Sequence, residues 1–414
     1  EEIKSNLKDD DNLISVFIAE DKTSLFHLTS RELKVYTLDI GKKDVKKLLE
    51  AIAPIYKSDL ASDEIYINQD LFSFNAEAAW NFYQNIFKNV LETIPVKETI
   101  IFSFADELLL LPAELLVTEW KEGDSPFYYQ DKKFLVEKYP VVYTPSASIY
   151  ITQLQKEASH NKVNLLVGNP KINNDEFTIS YRSGLLSADD YSSRNAQLFP
   201  LAYSDEEIEN IDNIISGNVV LVSDDATEEN FKANASASNL IHLSTHSFLF
   251  KNQPLIILSH NTGEADDGYL EVSEIIQLHL NSDLVVLSSC RSGLGRIDEA
   301  EGIIGMQKAF FEAGANSVVV SLWDVNDKYT SFFMKDFYDH LSQGLNKSGA
   351  LRKAKLDFIK KYSANPYYWS AFVLSGNPSK MNLQTASLIN PLYILIVLFA
   401  LSYLFFIFRK SKRR

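Results

Sequence analysis

The chain has 414 residues, 46% hydrophobic and 12% aromatic, which is enough apolar material for large cores, and its length alone suggests two or three domains. The formal charge is −15; five of the 40 basic residues sit in the last six positions, so the remainder carries 35 basic against 55 acidic residues, or −20, and such an acidic body repels nucleic acid. One cysteine excludes an intrachain disulfide, and seven scattered histidines form no cluster at ligand spacing, so we expect no metal and no cofactor.

Residues 13–37 alternate in the manner of strands (Leu13–Ile18, Ser24–Leu28, Leu33–Thr37) with turn residues between them, which predicts an opening meander. Helices are expected at about 42–56 and 76–94, strands near 99–104 and 134–143, and a helix from Pro145 to about Lys156. The pattern then becomes a strand and helix alternation. Val163–Gly168 is followed by a helix from Ser204, Val219–Val222, a helix from Thr227, two strands ending at His246 and Cys290, a helix from Glu301, Ser317–Leu322, a helix from about Thr330, and Ser370–Leu374. Alternation at this spacing predicts an α/β fold with a parallel sheet covered on both faces. Ser204 with Glu207 reads as a capping box and Thr227 as an N-cap. The polar stretch from about Asn169 to Gln197 reads as a long mobile surface loop.

The chemistry concentrates where two apolar runs end. Asp283-Leu-Val-Val-Leu-Ser-Ser-Cys290 leads into Arg291-Ser-Gly-Leu-Gly295, and Asn239-Leu-Ile-His-Leu-Ser-Thr-His246 is a second such run. A thiol and an imidazole at the carboxyl ends of adjacent parallel strands are what a cysteine nucleophile and its base require. His242 lies well inside its strand and reads as a satisfied core or supporting histidine. After the cysteine loop, Ile303, Gln307, Phe310 and Phe311 trace one side of a helix that Gly314 can end with a left-handed cap. Asp324 and Asp327, at the end of the next strand, either line a substrate pocket with Arg291 or cap the following helix. Trp323 and Trp369 read as structural. A hydrolase built on Ser288 or Ser289 ranks last, because no G-x-S-x-G elbow is present.

Leu388–Phe408 is an uncharged run of 21 residues followed by a basic tail at 409–414, which is expected to span a bilayer as a single helix. The positive-inside rule favours a cytoplasmic tail and an extracytoplasmic body, with a cytoplasmic tail-anchored body as the alternative. The exported topology requires a signal; none is present, and the chain opens on Glu1 instead of methionine, so an upstream stretch is expected.

Ile241-His-Leu-Ser-Thr-His246, Asp283–Cys290, Gly293-x-Gly295, Glu301-Gly302, Ala313-Gly-Ala315, Val318-Val-Val-Ser-Leu-Trp-Asp324, Phe337-Tyr338 and Asn365–Gly376 together closely resemble the CHAT family of caspase-like peptidases. Leu108–Leu115 and Tyr143-Thr-Pro-Ser146 resemble its amino-terminal portion, so the likeness runs from about residue 10 to 378. The resemblance implies a caspase-hemoglobinase-like three-layer sandwich: a degenerate pseudo-caspase half at 1–158 and a catalytic half at 159–380. It implies a His246 and Cys290 dyad acting on protein or peptide substrates, an oxyanion site from the backbone N–H groups of Ser247 and Cys290, and an upstream helical-repeat region that recruits a partner. The family's glycine after the histidine is here Ser247, and its acidic or polar residue after the cysteine is Arg291. Separases share the pattern Leu322-Trp-Asp-Val-x-Asp327 and select a basic residue with an acid four positions further on, which is Ser331 here. The expected function is a membrane-anchored cysteine endopeptidase, the alternative an inactive caspase-like scaffold for protein–protein interaction at the membrane.

Overall fold

The computed structural model describes residues 2–56, 73–156, 159, 161, 163–172, 201–250, 253–260, 267–288, 297–323 and 325–385. β1 (Asp11–Ile18), β2 (Thr23–Leu28) and β3 (Leu33–Leu38) form the expected antiparallel meander, with Leu13 opposite Leu28 and Phe26 opposite Val35. α1 (Lys42–Ile52) buries Val45, Leu49 and Ile52, the one-sided spacing of an amphipathic helix. α2 (Ala76–Phe82) starts where the Asn75 side chain accepts the Ala78 N–H, and it continues through a π turn to Leu91.

β4 (Thr99–Ser103) and β5 (Val117–Glu119) follow. The strand expected near 134–143 is two pieces, β6 (Lys133–Phe134) and β7 (Val141–Tyr143), because a 3₁₀ turn at Leu135–Glu137 and Pro140, which has no N–H, break the ladder. α3 (Ala147–Gln155) is capped by Ser146, whose hydroxyl accepts the Ile149 N–H.

The second part alternates as expected: β8 (Val163–Pro170), α4 (Ser204–Ile214), β9 (Asn218–Ser223), α5 (Glu228–Ala235) and β10 (Ser238–Ser244). A small antiparallel sheet of β11 (Ser247–Phe250), β12 (Gln253–Ile257) and β13 (Tyr269–Glu271) comes next. β14 (Leu284–Leu287), α6 (Ile297–Ala313), β15 (Ser317–Ser321), α7 (Asp327–Ser342), α8 (Lys347–Lys361) and β16 (Phe372–Gly376) complete the order.

Eleven strands make one sheet in the order β3-β2-β1-β4-β7-β16-β15-β14-β10-β8-β9. β8, β9, β10, β14 and β15 are parallel, but β16 runs antiparallel to β15. Two long helices, α7 and α8, lie between those strands with a single short turn of helix at Pro366–Trp369, and an even number of long passes returns the chain to the end it left. Right-handed crossovers put α4, on the way out to β9, and α5, on the way back past β8, on opposite faces. The sheet is thereby covered on both sides.

Two local readings are corrected and two hold. Ser204 is not an N-cap: it is the first residue of α4, and its hydroxyl instead accepts the Asn169 N–H at 2.8 Å and donates to the Ser244 carbonyl at 2.7 Å. α6 and α7 begin earlier than expected, at Ile297 and Asp327. Gly314 ends α6 with a positive φ of +124°, as expected, its N–H and that of Ala315 donate to the Phe310 carbonyl, and any side chain there would strike the Leu280 carbonyl. Thr227 does cap α5, accepting the Asn230 N–H at 3.2 Å.

The membrane-spanning helix is also corrected. Among the described residues no helix is long and apolar enough to cross a membrane. The longest, α6, carries five charged residues in its 17, Asp298, Glu299, Glu301, Lys308 and Glu312, too many for a bilayer span. Leu388–Phe408 and the stretch from Asn173 to Gln197 lie outside the described residues. A single-pass membrane protein, in either orientation, is therefore not supported.

Candidate active site

The central strands read Leu284-Val-Val-Leu287 and Ser238-Asn-Leu-Ile-His-Leu-Ser244, and every one of these side chains is buried. Near-continuous burial is what a strand covered on both faces requires. β10 and β14 are neighbours in parallel register, with Leu243 opposite Leu287, and the ladder extends one step further through the Ser288 N–H to the Leu243 carbonyl at 3.0 Å. The chain reverses its direction of travel beside these strands: β8 to β9 goes toward one edge, β10 to β14 to β15 toward the other. Carboxyl ends at such a reversal are where α/β sheets bind ligands.

His246 lies two residues past β10 and is 5% exposed. Its carbonyl accepts the Ile257 N–H at 2.8 Å, and the neighbouring Thr245 hydroxyl donates to the Ile257 carbonyl at 2.5 Å. The small β11–β13 sheet thus clamps the backbone on both sides of the imidazole.

Ser247 opens β11, opposite Ile256. In an antiparallel ladder hydrogen-bonded and non-bonded pairs alternate. The bond from Ile257 to His246 sets the phase, and Pro254, which has no N–H, sits opposite Leu249 in agreement with it. Ser247 and Ile256 are therefore a non-bonded pair, and the Ser247 N–H points away from β12. β11 is the edge of its sheet, so that N–H looks outward. The Ser247 side chain is 4% exposed, and its hydroxyl has no hydrogen-bond partner among the described residues.

His242 is fully buried with both ring nitrogens occupied: Nδ1 lies 3.0 Å from the Tyr338 hydroxyl and Nε2 2.8 Å from Glu207 Oε1. Burial, with Glu207 adding to it, raises the Tyr338 phenol well above its ordinary range, so it keeps its proton. Every polar hydrogen then has an acceptor when Tyr338 O–H donates to Nδ1 and Nε2–H donates to Glu207. His242 is a supporting core histidine, as its position inside the strand implies. Its partners were missed from sequence because Glu207 sits three residues after a serine and imitates a capping box.

Asp327 is the first residue of α7, an acid where the helix dipole favours one. Ser331, one turn later, is wholly buried. Trp323 and Trp369 are fully buried, donating their indole N–H to the carbonyls of Tyr367 and Ala364, and are structural. Cys290, Arg291 and Asp324 lie outside the described residues, and among the described residues no group of histidine, cysteine or acidic side chains could hold a metal ion.

A mixed α/β molecule with a large, mainly parallel sheet and a buried histidine at the carboxyl end of a central strand has the fold of caspase-like proteins. The sequence matches the CHAT domain model over residues 77–377, and the chain belongs to that family. It is 36% identical over 114 residues to tetratricopeptide repeat protein 28 of mouse and, equally, of human; that stretch is 27% of this chain and 5% of the relative. The chain thus spans a small fraction of the curated relatives it matches. Among solved structures, separase in the Saccharomyces cerevisiae separase–securin complex aligns with TM-score 0.50 at 13% identity, over 92% of this chain and 31% of that one. The Arg-specific cysteine proteinase gingipain R aligns at TM-score 0.37 and 11% identity, over 82% and 75%. The likeness to the separase–securin structure concerns the fold.

Proposed function

We propose that this chain is a cysteine endopeptidase acting on protein substrates, with Cys290 as nucleophile and His246 as general base and acid. The observation that carries the reading is register. Leu243 and Leu287 are opposite each other on adjacent parallel strands, His246 is three residues beyond 243, and Cys290 is three beyond 287. Neighbouring strands are about 4.8 Å apart, the separation from which two side chains can meet. His246 takes the Cys290 thiol proton as Sγ bonds to the substrate carbonyl carbon and the π pair moves to oxygen; collapse breaks the C–N bond and expels the amine, which takes that proton from His246; water, deprotonated by His246, then attacks the thioester, and the C–S bond breaks to release the acid while the sulfur regains its proton from His246. The outward N–H of Ser247, with that of Cys290, is the donor pair for the oxyanion. Arg291, Asp324 and Asp327 line the pocket for the residue before the cleaved bond. A helical-repeat region preceding this stretch recruits the partner, in keeping with the tetratricopeptide repeat protein that is 36% identical to it over 114 residues.

A second reading, an inactive scaffold that binds proteins, has one observation in its favour: the residue after His246 is a serine in regular strand, where glycine is the usual choice for a freely turned donor. The two are separated by presenting a diverse peptide library to the wild type, Cys290→Ala and His246→Ala. Cleavage that falls by on the order of 10³-fold or more in both variants supports the peptidase; cleavage equal in all three, or none in any, favours the scaffold.

A further inference from the structure

A buried hydroxyl without a partner is uncommon, because it keeps the cost of leaving water and regains nothing. Three serines here have one among the described residues: Ser247, Ser331 and Ser348. Ser331 lies within α7, where the carbonyl of the preceding turn is within reach of a small rotation, and Ser348 is the second residue of α8, far in sequence from either strand end. Ser247 is in a strand and has no such carbonyl. It is also the residue directly after His246.

Its direction can be read from the ladder. Ser247 and Ile256 are opposite each other and share a face with Pro254, since side chains two apart on a strand point the same way. That face is turned toward α6: a methyl group on Gly305 would meet the Pro254 ring at 3.8 Å. α6 is the helix that the chain enters after residue 290. The unpartnered hydroxyl therefore lies on the face of β11 that is turned toward α6, the helix that follows the cysteine in sequence, beside an N–H aimed off the sheet edge.

We propose that the Ser247 hydroxyl is a catalytic hydrogen-bond donor to the oxygen of the carbonyl under attack, acting alongside the backbone N–H of the same residue. The inference rests on the peptidase reading above. The hydroxyl transfers no proton; it donates to the oxygen as the carbonyl π pair moves onto it, so its interaction strengthens from bound substrate to tetrahedral intermediate. Serine in place of glycine is then a gain of a donor at this position.

The test separates the oxyanion from the thiol. Iodoacetamide alkylates a cysteine by displacement at a saturated carbon and forms no oxyanion, whereas an N-acetyl dipeptide aldehyde adds the thiol to a carbonyl and does. In Ser247→Ala, alkylation of Cys290 is expected at the wild-type rate, aldehyde inhibition weaker by about tenfold or more, and kcat for peptide cleavage down by about 10²–10³-fold with KM little changed. Ser247→Thr, which keeps the hydroxyl, is expected to recover part of both. Removing an unpartnered buried hydroxyl also predicts a thermal midpoint for Ser247→Ala at or above that of wild type, where a structural serine would lower it. Wild-type aldehyde affinity and kcat in Ser247→Ala, with alkylation intact, overturn the donor role alone. Absence of alkylation at Cys290 in the wild type overturns the peptidase reading and this inference with it.

Discussion

His242 and His246 are four residues apart, one inside β10 and the other two residues past its end, and their surroundings separate their roles. His242 sits in the sheet interior, closed by Tyr338 from α7 and Glu207 from α4, whereas His246 sits at the strand end, where β10 gives way to β11. Removing His242 strands a buried carboxylate. His242→Phe is therefore expected to lose about 3–5 kcal/mol of stability in urea unfolding, while Glu207→Gln, which still accepts from Nε2–H, loses far less. Equal stability of His242→Phe and wild type would show that Glu207 is not held by this imidazole. That His242 is supporting was legible from its depth in an apolar run. Its partners were not, since they come from 35 and 96 residues away.

At the scale of elements, the β11–β13 sheet positions His246 and Ser247 and is itself tied to α5. The Gly268 N–H donates to Glu228 Oε2 at 3.1 Å, Lys232 lies 2.6 Å from Oε1, and the Ser259 N–H donates to the Ala226 carbonyl at 2.8 Å. Burial pushes the Glu228 carboxyl up to about 7, with Lys232 opposing and Glu274 adding to the rise. A carboxyl whose folded value is raised binds protons preferentially in the folded state, so between pH 4.5, its ordinary value, and about 7 its contribution to stability falls as pH rises. Glu228→Gln is expected to flatten that fall while keeping the bond to Gly268. Thermal midpoints of both proteins across this range check it, and parallel curves would refute it. The long elements were legible as periodic stretches. β11–β13, of three to five residues each, were not, because runs so short carry little period. α8 was missed for another reason: it opens Lys347-Ser-Gly349 and carries basic residues on most of its turns, so its apolar stripe is thin.

Across the whole molecule, one sheet runs without a break through the stretches expected as two halves, and its joint is the last strand. β16 pairs with β15 on one side and, through Ser375 and Tyr143, with β7 on the other. α8 reinforces that joint. Lys355 Nζ lies 2.6 Å from Glu114 Oε1 with both side chains buried, Tyr143 O–H donates to the same carboxylate, and Arg352 donates to the carbonyls of Val136 and Glu137. A buried charge left without its partner is costly, so Lys355→Met is expected to lose about 3–5 kcal/mol and Lys355→Met with Glu114→Gln to recover most of it. Denaturant unfolding of the single and double variants decides this, and a double variant no better than the single would refute the pairing.

Local chemistry alone determined the class of element along most of the chain, the meander, the strand and helix alternation, and the candidate histidine and cysteine at the ends of two apolar runs, because period and turn residues act over a few neighbours. Other features depended on residues tens to hundreds of positions apart, and only the tertiary structure decided them. β16 turned antiparallel because two long helices, one pass each way, precede it, Ser204 gave its hydroxyl to a strand end instead of its own helix, and Glu207 found an imidazole. The phase that turns the Ser247 N–H outward was set by β12, since a strand's hydrogen-bonding edge is chosen by the partner it meets.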